Sequence, residues 1–480
     1  MVDSRTEGRA GSDAAATFQG EGWSEPIGVP QTPAAPRAAV EEAVGEVAER
    51  LRDPERVREI VSAHGNADPF LGVPPWSALS LGDGYPGVAM LYARLGHADN
   101  IWRPVTHACL SAAVSRLGSP DSATGLYHGA PALVFAVRCA VAGPRDYAGL
   151  LTALDARVAD HVGALLARER SRRASGARGV ALAGYDVIAG LTGLGRYLLA
   201  CGEAQRPLLR EVLAHLVDLS RPLRTAGREL PGWWVPDPPS PAAGDAFPHG
   251  HLNLGLAHGI PGPLALLALA HREGITVPGM DEAMHRIADW LLGHRCQDTA
   301  GPSWPACLAP DHEHVPGGVI ALPTRAAWCY GTPGVARALQ LAGQALGERT
   351  WETEAVHALH AVLDRPREEW GLRDAMICHG TAGLLQIVTR VAHDSGDVRL
   401  SAWTERLTDE VMAHHDPAAA FAFPSTPPPG AVQGTGERQA WARDRAGFLE
   451  GAAGTALALF GRVEPGAGGT LPWDAALLIA

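Results

Sequence analysis

The chain has 480 residues, 46% of them hydrophobic but only 6% aromatic, and a net charge of −12 with no basic block. That charge lacks the basic stripe of a nucleic-acid binder, and the core has to be built mainly from Ala, Leu and Val. The length suits two or three domains, or one large domain made of repeats.

At the N-terminus, Met1-Val-Asp-Ser-Arg5 lacks the charged-then-apolar order of a secretory signal. Residues 1–36 are rich in Ala, Gly, Ser, Thr and Pro without a period, which predicts a largely disordered segment with no catalytic role. A helical pattern begins at Ala38. Further on, the apolar run Pro263 to Ala270 is far too short to span a bilayer. Seven cysteines at irregular spacing do not form a disulfide framework, and a reducing cytoplasm suits them.

A Gly-x-x-Gly turn followed by an apolar helical run recurs along the chain. The copies begin at Gly84, Gly129, Gly190, Gly259, Gly331, Gly380 and Gly451, and the second ends in Ala132 instead of glycine. The intervals have room for a second, more polar helix, as in Val105 to Arg116, Leu150 to Arg168, Leu208 to Val217 and Met280 to Leu292. Glycines here let the chain turn sharply and let helices approach closely. A helix pair of this kind cannot bury its apolar face alone, so copies must stack, as an open solenoid or a closed ring. Closure would gather the turns at one end. Strand signals are sparse, apart from Pro/Gly/Trp-rich insertions near residues 226–250 and 298–324, whose length points to function.

Polar groups sit directly before these turns. Cys329-Tyr330 precede Gly331 and Cys378-His379 precede Gly380, giving two thiolates and one imidazole at equivalent repeat positions. Three protein ligands leave one coordination position open, the mark of a catalytic rather than a structural zinc. His258 stands in the same register before Gly259, as a site residue or a satisfied core histidine. Asp186, four residues before Gly190, fits either a helix cap or a catalytic partner to a histidine. Arg325 is a site residue or merely a solvated arginine. His128 and Glu450 share the register without a thiol and are assigned supporting or structural roles. His312-Glu313-His314 sit in a Pro/Gly-rich loop without helical spacing and are not read as ligands. Cys109, Cys139, Cys201, Cys296 and Cys307 are read as packing or loop thiols. Trp233 and Trp234 line a groove for an extended ligand or pin their loop to the helices.

From about residue 40 to 462 the chain resembles the lanthionine synthetase C-like cyclases. The resemblance rests on the seven turns and on four strings in order: Tyr185-Asp-Val-Ile-Ala-Gly190, Ala257-His-Gly-Ile-Pro-Gly262, Trp328-Cys-Tyr-Gly331 and Cys378-His-Gly380. It implies an all-α fold, an α/α toroid of seven inner and seven outer helices, over residues 37–480. It implies one zinc on Cys329, Cys378 and His379. It implies catalytic roles for His258, its acidic partner Asp186, and Arg325 and Tyr330 beside the first zinc cysteine. It implies addition of precursor-peptide cysteine thiols to dehydroalanine or dehydrobutyrine, giving thioether rings. The chain has no room for fused dehydratase, kinase or lyase domains, so it looks like the stand-alone type. A separate dehydratase would supply the dehydrated precursor peptide, and a transporter complex could draw the enzyme to a membrane.

Zinc lowers the pKa of a thiol otherwise near 8.5, and no Gly-x-x-x-x-Gly-Lys-Ser/Thr string calls for a nucleotide. In this reading His258 donates or relays the proton to the α-carbon. Two rival readings are addition of glutathione to dehydrated residues and a non-catalytic, zinc-stabilised scaffold. Toroidal glycosidases would need paired carboxylates at the mouth, and toroidal prenyltransferases a carboxylate zinc ligand; neither matches this Cys and His set.

Overall fold

The computed structural model describes residues 35–67, 72–118, 125–225, 227–240, 243–310, 324–426, 443–466 and 469–480. The expected disordered segment falls almost wholly outside these residues, as does His312-Glu313-His314.

Among the described residues the α-helices run in chain order as α1 (Arg37–Arg50), α2 (Pro54–Val61), α3 (Tyr85–Ala98), α4 (Arg103–Val114), α5 (Ala130–Cys139), α6 (Ala148–Ala174), α7 (Leu191–Ala200), α8 (Arg206–Leu219), α9 (Pro261–Arg272), α10 (Met280–Gly293), α11 (Thr332–Leu346), α12 (Arg349–Leu363), α13 (Thr381–Ser395), α14 (Val398–Met412) and α15 (Ala452–Val463). Each predicted glycine turn launches one of α3, α5, α7, α9, α11, α13 and α15. These seven pack in sequence order, and α15 returns to α3, closing the inner ring. Outside it lie α4, α6, α8, α10, α12 and α14, each against the inner helix before it, while α1 covers α15. The architecture is an α/α toroid.

Composition explains the two layers. Every residue of α9 from Pro261 to Ala270 is buried, as expected of a helix surrounded on all sides. Helix α10 instead buries Met280, Ala283, Met284, Ile287, Ala288 and Leu291, one stripe at helical spacing, and turns the rest to solvent.

The seven turns are tied to one another. The carbonyl two residues before each first glycine accepts a backbone N–H from the previous turn in the circle. Leu81 donates to Tyr127 (2.9 Å), Tyr127 to Ile188 (3.4 Å), Val187 to Ala257 (3.0 Å), Ala257 to Cys329 (3.3 Å), Cys329 to Cys378 (3.3 Å), Cys378 to Leu449 (2.8 Å), and Leu449 back to Gly82 (3.0 Å). Backbone groups that would be orphaned in a buried turn are thereby paired.

The second glycine of the motif is a packing site. A Cβ on Gly193 would lie 2.0 Å from the Val187 carbonyl oxygen and 3.0 Å from Leu126 Cβ of the preceding repeat. Gly334 is likewise pressed by Leu256, Gly454 by Ile377 and Gly87 by Phe448. The apolar residue three before one turn therefore seats against the glycine of the next.

The end of the chain fills the ring. Residues Trp473 to Ile479 are buried. Their carbonyls accept hydrogen bonds from Tyr127 Oη to Ala476 (3.0 Å), Trp328 Nε1 to Leu477 (3.0 Å) and Arg337 Nη2 to Ile479 (2.7 Å). Arg196 Nη2 donates to the Ala480 carbonyl (3.0 Å), and buried Asp474 accepts from Gln386 Nε2 and from Arg390 Nε and Nη2, each at 2.7 Å. The donors come from repeats two, three, five and six. The repeat pattern gave no sign of this plug.

The two insertions form small antiparallel pairs: Leu223–Thr225 with Arg228–Leu230, Cys296–Asp298 with Gly301–Ser303, and Leu252–Asn253 with Cys307–Leu308. Trp233 is buried edge-on against Trp290 of α10 (5.2 Å between centroids), and Trp234 Nε1 donates to the His249 carbonyl. Trp233 thus pins the loop to α10, while Trp234 also lines a cavity of about 460 Å³ with Arg178, Arg228 and Leu230, so both readings of the pair keep a basis.

Gly331 has φ +139, and a Cβ there would lie 1.7 Å from the Arg325 carbonyl oxygen. Gly331→Ala is expected to cost more than about 4 kcal/mol in chemical denaturation. Gly163→Ala, in the middle of α6 with nothing within 4 Å of a new Cβ, should instead stabilise by up to ~1 kcal/mol.

Candidate metal centre and acid–base pair

The ring of hydrogen bonds fixes where functional side chains can stand. The residue two before each first glycine is held by its carbonyl, and in repeats five and six it is Cys329 and Cys378. Their backbones are joined directly, Cys329 N–H to the Cys378 carbonyl. His379, the next residue, adds an imidazole. The ligand atoms of Cys329, Cys378 and His379 all lie within 4.8 Å of one another, and among the described residues no fourth His, Cys, Asp or Glu joins the group.

The electrostatics single out this cluster. Burial pushes the packing thiols Cys109 and Cys307 up to about 12 and Cys201 up to about 11. Cys329, half-buried, is pushed down to about 5, first by the hydrogen bond from Cys378 and then, against burial, by His379. The bond to Cys329 and burial raise Cys378. For His379 burial opposes the charged form, but the Cys329 thiolate and the Glu450 carboxylate outweigh it and raise the ring. Two sulfurs and one imidazole in mutual contact form a donor set that could hold a soft dication. Cys109, Cys139 and Cys307 are buried and Cys201 is half-buried, as packing thiols should be, while Cys296 is exposed in its hairpin.

One residue before each first glycine stands a second circle: Asp83, His128, Ala189, His258, Tyr330, His379 and Glu450. His258, Tyr330 and His379 are consecutive in it. His258 Nδ1 lies 2.7 Å from Asp186 Oδ2. Asp186 is fully buried, while the His258 side chain is one-third exposed. The carboxylate fixes the proton on Nδ1 and leaves Nε2 to give or take one. Asp186 Oδ1 accepts the Ala189 N–H, so it shapes its own turn; the cap of α7 is Gly190 without a side-chain bond. Asp186 is therefore not the cap of α7, and its second oxygen is paired with His258.

The Tyr330 ring is 6.0 Å from that of His258. Its hydroxyl oxygen accepts from Asn253 Nδ2 at 3.1 Å, and Asn253 Oδ1 is in turn held by the Gly255 N–H. Burial raises the Tyr330 phenol well above its ordinary value. It therefore stays protonated, and with one lone pair occupied its O–H is free to donate. Asn253 was missed at the sequence level. Its string, Leu252-Asn-Leu-Gly-Leu-Ala-His258, reads as an alternating strand, and only the fold brings it to a tyrosine of another repeat.

Arg325 is exposed, its stem lying over Gly371; among the described residues no hydrogen bond joins its guanidinium to the cluster. Glu450 pairs with Arg445, which also faces Asp83 at 3.7 Å. His128 is exposed, and its backbone bridges Ser80.

A model of the family described as "Lanthionine synthetase C-like protein" matches residues 75–478. The chain belongs to the lanthionine synthetase C-like family. It is 28% identical over 316 residues to the nisin biosynthesis protein NisC of Lactococcus lactis subsp. lactis, a stretch covering 64% of this chain and 72% of that one. A solved structure of nisin cyclase superposes with a TM-score of 0.70 at 23% identity, covering 92% of this chain and 97% of that one. The lanthionine synthetase C-like assignment takes in the terminal plug, which lies beyond the stretch that the motifs alone had marked.

The three donors can hold a metal ion. Cys329→Ala and Cys378→Ala are each expected to lose it, whereas His258→Ala should keep it. Elemental analysis of the purified variants checks this, and near-stoichiometric metal in both cysteine variants would refute the ligand set.

Proposed function

We propose that this enzyme is a zinc-dependent peptide thioether cyclase acting on dehydrated precursor peptides. What supports the reading most is the placing of the His258–Asp186 pair beside a three-donor set, with Tyr330 between them, on one arc of the mouth. Family membership and the likeness to NisC and nisin cyclase support it as well.

Two thiols and an imidazole suit zinc in preference to hard, oxygen-seeking cations. When bound, zinc keeps a substrate sulfur in its thiolate form at neutral pH. The sulfur attacks the β-carbon of a dehydroalanine or dehydrobutyrine. A C–S bond forms, the C=C π pair moves toward the α-carbon and its carbonyl, and a proton must then reach the α-carbon. The thiol proton has left to solvent, so atoms and charge balance once that proton is returned.

His258 is placed to return it. Asp186 holds its ring through Nδ1 and leaves Nε2 for the transfer. Tyr330, oriented by Asn253, donates its O–H to the carbonyl oxygen as negative charge develops. Arg325 stands at the rim, where a closing peptide would meet it. The substrate requires an earlier dehydration of Ser or Thr, which a separate dehydratase would perform. Among the described residues no helix is long and apolar enough to cross a membrane; a transporter complex would have to supply any membrane association.

The test uses a peptide bearing one dehydroalanine and one cysteine, with ring closure read by mass spectrometry as loss of alkylatable thiol. His258→Ala should keep its metal and slow closure by roughly 10²–10⁴-fold. Tyr330→Phe should cost on the order of 10²-fold. Unchanged closure in His258→Ala would remove that residue from the chemistry, and closure on an undehydrated peptide would contradict the reaction itself.

A further inference from the structure

The inserted loops build a short antiparallel layer with Tyr330 at one end and a cavity at the other. Val235 bridges His251, Leu252 pairs with Leu308, and Asn253 pairs with Cys307. At the Asn253 end, the side chain reaches the Tyr330 hydroxyl (3.1 Å). At the opposite end, about 10 Å away along the strand, Pro236, His249 and Pro310 line a cavity of about 460 Å³. Leu230 and Trp234 complete its apolar lining.

The charge on this wall is of one sign. Arg178, Arg228 and His249 line the cavity, and among the described residues no Asp or Glu does. Arg228 Nη2 donates to the Pro310 carbonyl (3.0 Å), which fixes that proline in the wall. Arg178 differs from it. It is exposed, and among the described residues no hydrogen bond or ion pair occupies its guanidinium.

A surface arginine is ordinarily just solvated. Arg178 instead shares a concave, largely apolar space with a tryptophan, a leucine and two prolines. A volume of this size, mainly apolar and with a few polar groups, is the usual form of a ligand site. The occupant that fits has an apolar part for the lining and a negative charge for the arginine. The whole chain carries a net charge of −12, so acidic segments are repelled elsewhere and the unpaired cation decides where one settles.

We propose that this cavity holds a segment of the substrate peptide outside the ring being closed, an apolar or aromatic residue beside an aspartate or glutamate. The proposal rests on the cyclase reading. The apolar side chain packs against Trp234, Leu230 and the prolines, and the carboxylate pairs with the Arg178 fork. The strand layer sets the spacing: a peptide seated there reaches Tyr330 in roughly three to five extended residues.

The experiment uses the full-length, metal-loaded protein and three synthetic peptides, each bearing one dehydroalanine and one cysteine. One carries Phe-Asp roughly four residues from the cysteine, one carries Phe-Lys there, and one carries Ala-Ser. Ring closure gives kcat and KM for each. Phe-Asp should lower KM at least tenfold relative to Ala-Ser while kcat changes less than twofold. Arg178→Glu should abolish that advantage and transfer it to Phe-Lys, and Arg178→Lys should keep most of it. Equal KM for all three peptides in the unaltered protein would overturn the proposal, as would a Phe-Asp advantage that survives Arg178→Glu. If no peptide is closed, the cyclase reading fails by itself, and docking is read from the fluorescence anisotropy of a labelled Phe-Asp peptide. Binding weakened at least tenfold by Arg178→Glu sustains the site; absent or unaltered binding overturns it. A dimer in sedimentation that Arg178→Glu dissolves would give this face to a second copy of the chain, and would overturn the peptide assignment.

Discussion

A closed circle of backbone hydrogen bonds, from Leu81 through the seven turns and back to Gly82, governs this molecule. Seven turns from distant parts of the chain are locked at one height and one spacing. Any side chain at a given place in a turn then has a defined neighbour in the next turn. Glycine makes the circle possible, because the first turn of each inner helix must press against the carbonyl of its own approach, as Gly331 does against Arg325. With the turns in register, two cysteines at equivalent places cannot fall far apart.

The residues proposed to carry the chemistry occupy an arc, not the whole mouth. Asp186, His258, Tyr330, Cys329, Cys378 and His379 come from four successive turns. The arc opposite is structural or electrostatic: Arg445 joins Glu450 and Asp83. Burial, with the Glu450 charge, raises the Asp83 carboxyl to about 7 despite Arg445. That acidic side faces the metal ligands and favours positive charge at His379. The repeat supplies seven equivalent places, and the sequence at each place decides whether it reacts or supports.

The inner ring was legible in the sequence because its cause is local. Each glycine pair is needed by the turn it sits in, so counting pairs counts inner helices. The three-donor cluster was legible for a related reason, since Cys329, Cys378 and His379 are defined by their offset from those glycines. What escaped the sequence depends on contacts across repeats. Asn253 acts on Tyr330 seventy-seven positions away in the chain. Asp186 could have been a local cap until the fold set His258 against it. The plug is invisible to any repeat pattern, because Trp473 to Ile479 repeat nothing and are held by Tyr127, Trp328 and Arg337 at their carbonyls and by Gln386 and Arg390 at the Asp474 carboxylate.

That plug bears on how a long substrate is handled. Hydrogen bonds from repeats two, three, five and six hold the terminal segment within the inner circle, so among the described residues the inner ring is a cup with a floor. A peptide cannot be drawn through it like a thread through a bead. Under the proposed function, a peptide reaching the three-donor cluster would enter and withdraw over the same rim, and one with several rings to close would be let go and re-seated between them.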